Sequence, residues 1–267
     1  MGEISLINIF TCKDSPISSI IFGPITSRRF GESLGIDLSP NNKQCNYDCL
    51  YCELKGAKTV DKASNLATCK EVLTALSQAL EVHQNIDVIT LTANGEPTLY
   101  PYLNELVDGI IAMKKEHKLL ILSNGSTIGD ESMQAILSKI DIVKLSLDCA
   151  TQMCFKKLDR PHGSVNLEAI KAGMKAFRKR YNGELVIEIL VVEGINDTLV
   201  EFEALNLVLQ DIKPDRIDVG TIDRPPAYAI NGVSMERVIE LSSQLIGLHV
   251  NIEYKKEYTQ QKRTFSE

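Results

Sequence analysis

Residues 141–148, "DIVKLSLD", decide between two folds that the rest of the chain leaves open. Side chains alternate along a strand, so Lys144, Ser146 and Asp148 share one face while Val143, Leu145 and Leu147 share the other. A parallel strand covered by helices on both sides is apolar on both faces, which leaves no place for a lysine and a carboxylate in a flat doubly wound sheet. A barrel lumen that holds a polar ligand provides one. The next apolar run, "ELVIEILVV" (184–192), is interrupted by Glu188, and adjacent strands would pair it with Lys144. A purely structural buried ion pair fits the same two residues.

Outward from this stretch, strands and helices alternate. "SLGIDLS" (33–39), "DVITLT" (87–92), "KLLILS" (118–123), residues 141–148, "ELVIEILVV" and "RIDVGTID" (216–223) read as strands. Helical periodicity marks residues 68–80, 102–115, 130–140, 167–181, 199–212 and 235–248. The first of these opens with Thr68 and Glu71 in capping-box spacing. Its Cys69, Val72, Leu73, Leu76 and Leu80 lie on one face, which gives Cys69 a core role. Six such units predict an α/β fold, an incomplete (β/α)6 TIM-like barrel.

The 267 residues suit a single domain: a partial barrel over 20–250, an N-terminal extension over 1–19 and a polar tail over 255–267. No apolar run reaches the roughly 20 residues of a membrane span, and the start lacks the basic head and apolar body of a signal peptide. These features predict a cytoplasmic protein without a membrane partner. A net charge of −6 weighs against non-specific nucleic-acid binding but leaves a local basic groove open. In that compartment seven cysteines are expected as thiols, core residues or metal ligands rather than disulfides.

Three of them crowd into "CNYDCLYCEL" (45–54). A redox dithiol needs two sulfurs and a closed zinc site four ligands, so three suggest a metal centre one ligand short. Cys45, Cys49 and Cys52 suit a cubane iron–sulfur cluster with one iron left open. A zinc site completed by a distant His and a metal-free trio are the alternatives; His83, His117, His162 and His249 are scattered. Cys149 and Cys154 would need a recruit such as Cys12 to ligate a second cluster.

Ligands of parallel α/β folds sit at the C-terminal ends of the strands. There this chain places the cysteine loop, "ANGEPT", "SNGS", "LD" running on to "LDRPHG", "EGIND" and "TIDRPPAY". Arg28 and Arg29 in "SRRFG" suit bidentate binding of a carboxylate or phosphate, as do Arg160 and Arg224, each followed by proline. Surface solvation or ion pairing with Glu32 or Asp223 is the alternative reading of these arginines.

With C-x3-C-x-aromatic-C at Cys45, Cys49, Tyr51 and Cys52, followed by "NGEP", "SNG", "SLD" and "GIND" at strand ends, the chain resembles the radical S-adenosylmethionine (SAM) superfamily over about residues 20–230. "FGPITSRRFGESLGIDLSP", "NGEPTLYP", "LDRPHG" and "TIDRPP" are similar to a group of bacterial and archaeal iron–sulfur oxidoreductases remotely related to wyosine-forming tRNA enzymes. The resemblance implies a [4Fe-4S] cluster held by Cys45, Cys49 and Cys52, with SAM on the fourth iron.

It also implies a SAM site. The backbone around Gly95, Glu96 and Pro97 would take the ammonium, with Glu96 alternatively fixing the turn. Ser123, Asn124, Ser146 and Asp148 would face the carboxylate and ribose, and Asn196 with backbone 192–195 and Tyr51 would frame the adenine. Arg28, Arg29, Lys144, Glu188 and Arg224 become candidate substrate-binding residues, which makes the expected substrate a small anionic molecule or nucleotide. The implied reaction needs a flavodoxin- or ferredoxin-like one-electron reductant and forms a 5′-deoxyadenosyl radical that abstracts hydrogen. An RNA-modifying or protein-activating enzyme is the alternative within the family; an electron-transfer or structural metal-binding protein is the alternative outside it.

Overall fold

The computed structural model describes residues 20–27, 29–64 and 66–252. Cys12, Arg28, the N-terminal extension and the polar tail lie outside these residues.

Eight strands form one sheet in chain order: β1 Ile21–Ser27, β2 Gly31–Asp37, β3 Val88–Thr92, β4 Lys118–Ser123, β5 Ile142–Ser146, β6 Glu184–Val191, β7 Arg216–Thr221 and β8 Val250–Ile252. β1 and β2 are antiparallel, and every pair from β2 to β8 is parallel. The helices α1 Cys69–Val82, α2 Leu103–Met113, α3 Glu131–Leu137, α4 Gln152–Leu158, α5 Leu167–Arg178, α6 Leu199–Ile212 and α7 Met235–Ser242 connect them. Starts are encoded locally. Thr68 and Glu71 form the complete capping box, and Asp130, Thr151, Asn166, Thr198 and Ser234 each cap a helix with a side-chain oxygen. Among the described residues no helix is long and apolar enough to cross a membrane.

The six strands read from sequence are β2 to β7. β1 escaped because it carries Gly23 and Pro24 and its middle is exposed, so it shows no half-buried alternation. β8 is only three residues long. α4, seven residues, lies inside a segment read as loop.

The sheet is curled. In a flat sheet β2 and β7 would lie about 24 Å apart, at roughly 4.8 Å per strand. Yet Arg29, just before β2, reaches Glu188 on β6 (3.1 Å) and Asp218 on β7 (2.9 Å). Val88, Leu120, Ile142 and Val186 meet inside the curl with Phe30 packed against them, forming an apolar floor at the N-terminal ends of the strands. The main core lies on the other face, between strands and helices. β1 and β8 do not pair with each other, so the barrel is incomplete.

On that outer face α5 passes very close to the turn after β4. A Cβ on Gly173 would sit 2.7 Å from the Ile128 carbonyl oxygen and 2.8 Å from the Gly129 nitrogen. Overpacking against backbone costs about 1–3 kcal/mol, which exceeds the roughly 1 kcal/mol that alanine gains over glycine in a helix. Gly173→Ala is therefore expected to lower the urea midpoint; an unchanged or higher midpoint would contradict this packing.

Candidate active site and cluster loop

β2 ends at Asp37, and the loop that follows carries the three cysteines. Main-chain bonds hold this loop from three sides. Toward β3, the Gln44 amide donates to the Asn94 carbonyl (2.7 Å) and the Glu96 amide to the Gln44 carbonyl (2.8 Å). Toward α4, the Asp48 and Leu50 amides donate to the Asp159 and Leu158 carbonyls, and the His162 amide donates to the Asn46 carbonyl. From the segment after β7, the Ala227 amide donates to the Cys52 carbonyl (2.9 Å). Gly95 makes the first contact possible: its φ is +145°, and a Cβ there would lie 1.9 Å from the Gln44 carbonyl oxygen.

Glu96 belongs to the turn and not to an open ligand site. Buried, it accepts from the Thr98 amide and hydroxyl, the Ser123 hydroxyl and the Asn124 amide. Burial raises its pKa, against the lowering effect of these donors. Ser123 is committed to the same knot, donating to Glu96 and accepting from the Gly125 amide. Asn124 points to the cysteine loop, donating to Asn46 Oδ1 (2.8 Å) and, at 3.8 Å, to Cys45 Sγ. The Ser123 hydroxyl, expected to face SAM, and the Glu96 carboxylate, for which fixing the turn was one of two expected roles, are thus both bonded within the turn. Pro97 is buried at the start of the short helical turn that follows.

Asp148, just beyond β5, links three pieces: it accepts from the Tyr51 hydroxyl (2.6 Å) and the Leu190 amide (2.7 Å) and is almost fully buried. Tyr51 therefore anchors the cysteine loop through its ring hydroxyl. Ser146 and Asp148 line a small cavity with Tyr47, Asn124, Phe155 and Asp159. The Tyr47 hydroxyl is buried and has no hydrogen-bond partner among the described residues. Asn196, completely buried, accepts from the Val192 amide and donates to the Asp148 and Leu190 carbonyls. Its side chain shapes the 192–195 turn and is closed to a ligand.

Burial pushes Asp148 up to about 7, against the lowering bonds from Tyr51 and Leu190, with Glu188 adding to the rise. A carboxyl whose folded pKa is raised stabilises the fold most below its unfolded value near 4, and that contribution is lost as pH rises through about 7. In the metal-free protein, wild-type melting temperature is expected to fall relative to Asp148→Asn between pH 5 and pH 8. A constant gap across that range would remove Asp148 as the titrating group.

Cys149 and Cys154 form a disulfide across the turn into α4, where their Cα atoms are 5.6 Å apart. This corrects the expectation that disulfides are absent, and it takes both sulfurs out of a second cluster. Nearby Glu201 is spent on the Ala150 and Thr151 amides and the Thr151 hydroxyl. Cys69 is buried on α1, as its periodicity predicts.

Cys45, Cys49 and Cys52 are free. Among the described residues, no set of three ligand atoms that includes them falls within 4.8 Å. Sulfurs on one tetrahedral zinc lie about 3.8 Å apart, given a Zn–S bond near 2.3 Å. A cubane places each thiolate on its own iron, so its three sulfurs need not converge on one point as they would on a single ion. Burial pushes the Cys45 thiol up to about 12 and raises Cys49 well above its usual value, so cluster binding must displace protons.

The predicted Lys144–Glu188 pair is present, and Glu188 also accepts from Arg29. Asp218 pairs with Arg29, Lys144 and Arg216 and accepts from Asn251. Arg29 thus reaches the lumen from its floor and is tied to two carboxylates. Arg224 pairs with Glu53 on the exposed rim of the cysteine loop. Arg160 and the Tyr228 hydroxyl bind Asp48, with Arg160 over the Tyr228 ring. Sequence reading missed Asp48, Asp159, Asp218 and Tyr228, whose partners are distant in the chain.

The profile of the radical SAM superfamily matches residues 42–205. A UPF0026 protein of Helicobacter pylori is 41% identical over 95% of this chain and 82% of its own length. A radical SAM methyltransferase from Sphaerobacter thermophilus shares the fold, with a TM-score of 0.64 and 14% identity over 84% of this chain and 66% of that one. Streptococcus suis SuiB, bound to precursor peptide SuiA, does so with a TM-score of 0.65 and 19% identity over 82% of this chain and 48% of that one. With its cysteine loop pinned at the C-terminal ends of a parallel, curled sheet, this chain belongs to the radical SAM superfamily and is an enzyme of that class, which uses a [4Fe-4S] cluster and SAM.

Proposed function

We propose that the chain takes one electron from a flavodoxin- or ferredoxin-like donor, cleaves SAM to methionine and a 5′-deoxyadenosyl radical, and uses that radical to abstract hydrogen from a substrate carbon in the barrel lumen. Electrons and atoms balance: the electron breaks the sulfur–C5′ bond, and the substrate hydrogen converts the radical to 5′-deoxyadenosine. When bound, the cluster supplies the electron and one iron that chelates SAM.

Cys45, Cys49 and Cys52 would hold the other three irons. The Gly95–Pro97 turn offers main-chain carbonyls to the SAM ammonium, since the Glu96 carboxylate is already occupied. Ser146 and Asn124, which line a water-sized cavity near the cysteine loop, would face the carboxylate and ribose of bound SAM. The 192–195 turn borders the adenine, its shape fixed by Asn196. Phe30 and its apolar neighbours close the floor, so substrate enters from the cluster end or the open edge, and water is kept from below.

The observation that carries this reading is the set of three free thiols on a loop that main-chain bonds lock in place. Anaerobic reconstitution with iron and sulfide, reduction and addition of SAM test it. SAM binding with release of 5′-deoxyadenosine is the expected result. A protein that forms no cluster or does not bind SAM would overturn it.

A further inference from the structure

The charges inside the curl are unequally accessible. Arg29 side-chain exposure is 15%, Lys144 7%, Arg216 18% and Asp218 0%, whereas Glu188 keeps 34%. Among these described residues the most accessible charge is therefore a carboxylate, although the arginine pair at 28–29 suggested a site for anions. Glu188 Oε1 receives both Lys144 and Arg29, and no donor to Oε2 is found among the described residues.

Two apolar side chains on the lumen-facing side of the sheet are open. Leu122 lies two residues beyond the floor residue Leu120 on β4, hence on the lumen face, and is 37% exposed. Its register partner on β5 is Lys144, the residue that holds Glu188. Phe22 pairs with Gly35, and its ring covers the space a Cβ at Gly35 would fill, on the face shared with Ser33 and Thr90. It is 39% exposed. Exposed apolar side chains inside a barrel are surface waiting for a ligand.

We propose that Glu188, with Leu122 and Phe22, forms a substrate subsite for a molecule carrying a primary ammonium group on an apolar stem. The proposal rests on the reading that the lumen holds the substrate. Glu188 Oε2 accepts the ammonium while Oε1 stays tied to Lys144 and Arg29, and the stem lies on Leu122 and Phe22. Burial, with Asp218 and Asp223, pushes Glu188 up to about 7 against Arg29, so a third cation beside Lys144 and Arg29 favours its charged form.

The test compares probes with one stem and different heads. n-Hexylammonium, hexanol and hexanoate are titrated anaerobically into the cluster-loaded, SAM-bound full-length protein and followed by calorimetry or ligand-observed NMR. Hexylammonium is expected to bind at least about tenfold more tightly than hexanoate, with hexanol between them. Glu188→Gln is expected to erase the preference, and Leu122→Lys, which brings a cation beside the carboxylate, to reverse it. Equal binding, no binding, or a preference for hexanoate by the wild type overturns the proposal without reference to any variant. A preference unchanged in both variants does so as well. SAM binding by the wild type, measured on the same samples, reports on the reaction class separately: its loss sinks that reading, whereas the head-group order alone decides this one.

Discussion

Cys49→Ala protein, reconstituted anaerobically beside the wild type, is expected to lose 5′-deoxyadenosine formation by at least about 100-fold while remaining folded. Removing even an outer-shell partner of a metal ligand typically costs 10- to 100-fold, and Cys49 is a proposed ligand itself. The fold should survive because the loop is held by main-chain groups of Gln44, Glu96, Asp48, Leu50 and Cys52, not by this sulfur. Iron and sulfide content, the visible absorption of the cluster and the far-ultraviolet circular dichroism check the two halves of this expectation. Wild-type iron content in the variant would show that Cys49 is not a ligand.

Gly95→Ala should do nearly as much damage without touching a sulfur. The new Cβ would meet the Gln44 carbonyl at 1.9 Å and the Gln44 nitrogen at 2.8 Å, both backbone atoms with nowhere to yield. The φ of +145° adds strain for any residue with a side chain. Strain of this kind costs about 1–3 kcal/mol, before the clash is counted. The chain can escape only by pulling the cysteine loop away from Asn94 and Glu96. Cluster content is expected to drop at least about tenfold and the melting temperature by several degrees. Gly163→Ala is the control, since a Cβ there meets nothing within 4 Å and should leave both quantities unchanged. Equal behaviour of the two variants would show that close approach at Gly95 does not position the loop.

Both of these sites were readable in the chain. The cysteine spacing and the glycine after β3 stand in the chain as short local patterns, and so do six of the strands and the Thr68–Glu71 cap. The Lys144–Glu188 pair was also legible, because a charge in mid-strand must face a lumen, and only another lumen charge can compensate it. Roles that depend on which partner arrives first were not. Ser123 looks like a ligand for SAM in sequence and Glu96 like either a ligand or the support of its turn, yet the two satisfy each other and the turn around Gly95. Asn196 looks like a contact for adenine, yet three backbone groups consume its amide. Arg224 looks like an anion site, yet Glu53 on the neighbouring loop holds it at the rim.

The sequence by itself determined the parallel α/β curl, the end of it that carries chemistry, and the thiol trio that places the chain in its superfamily. Side-chain period, capping and ligand spacing are set within a few residues, so they survive without coordinates. Only the tertiary structure decided that Cys149 and Cys154 join, that Tyr51 and Asp148 tie the cysteine loop to β5, and that Arg29 is neutralised from β6 and β7. Among the described residues it also left Glu188 the most exposed side chain of the charge network with Arg29, Lys144, Arg216 and Asp218. Each of these outcomes is a competition among donors and acceptors brought together from distant parts of the chain. Curling the sheet decides which of them meet, and burial makes each meeting costly to leave unsatisfied.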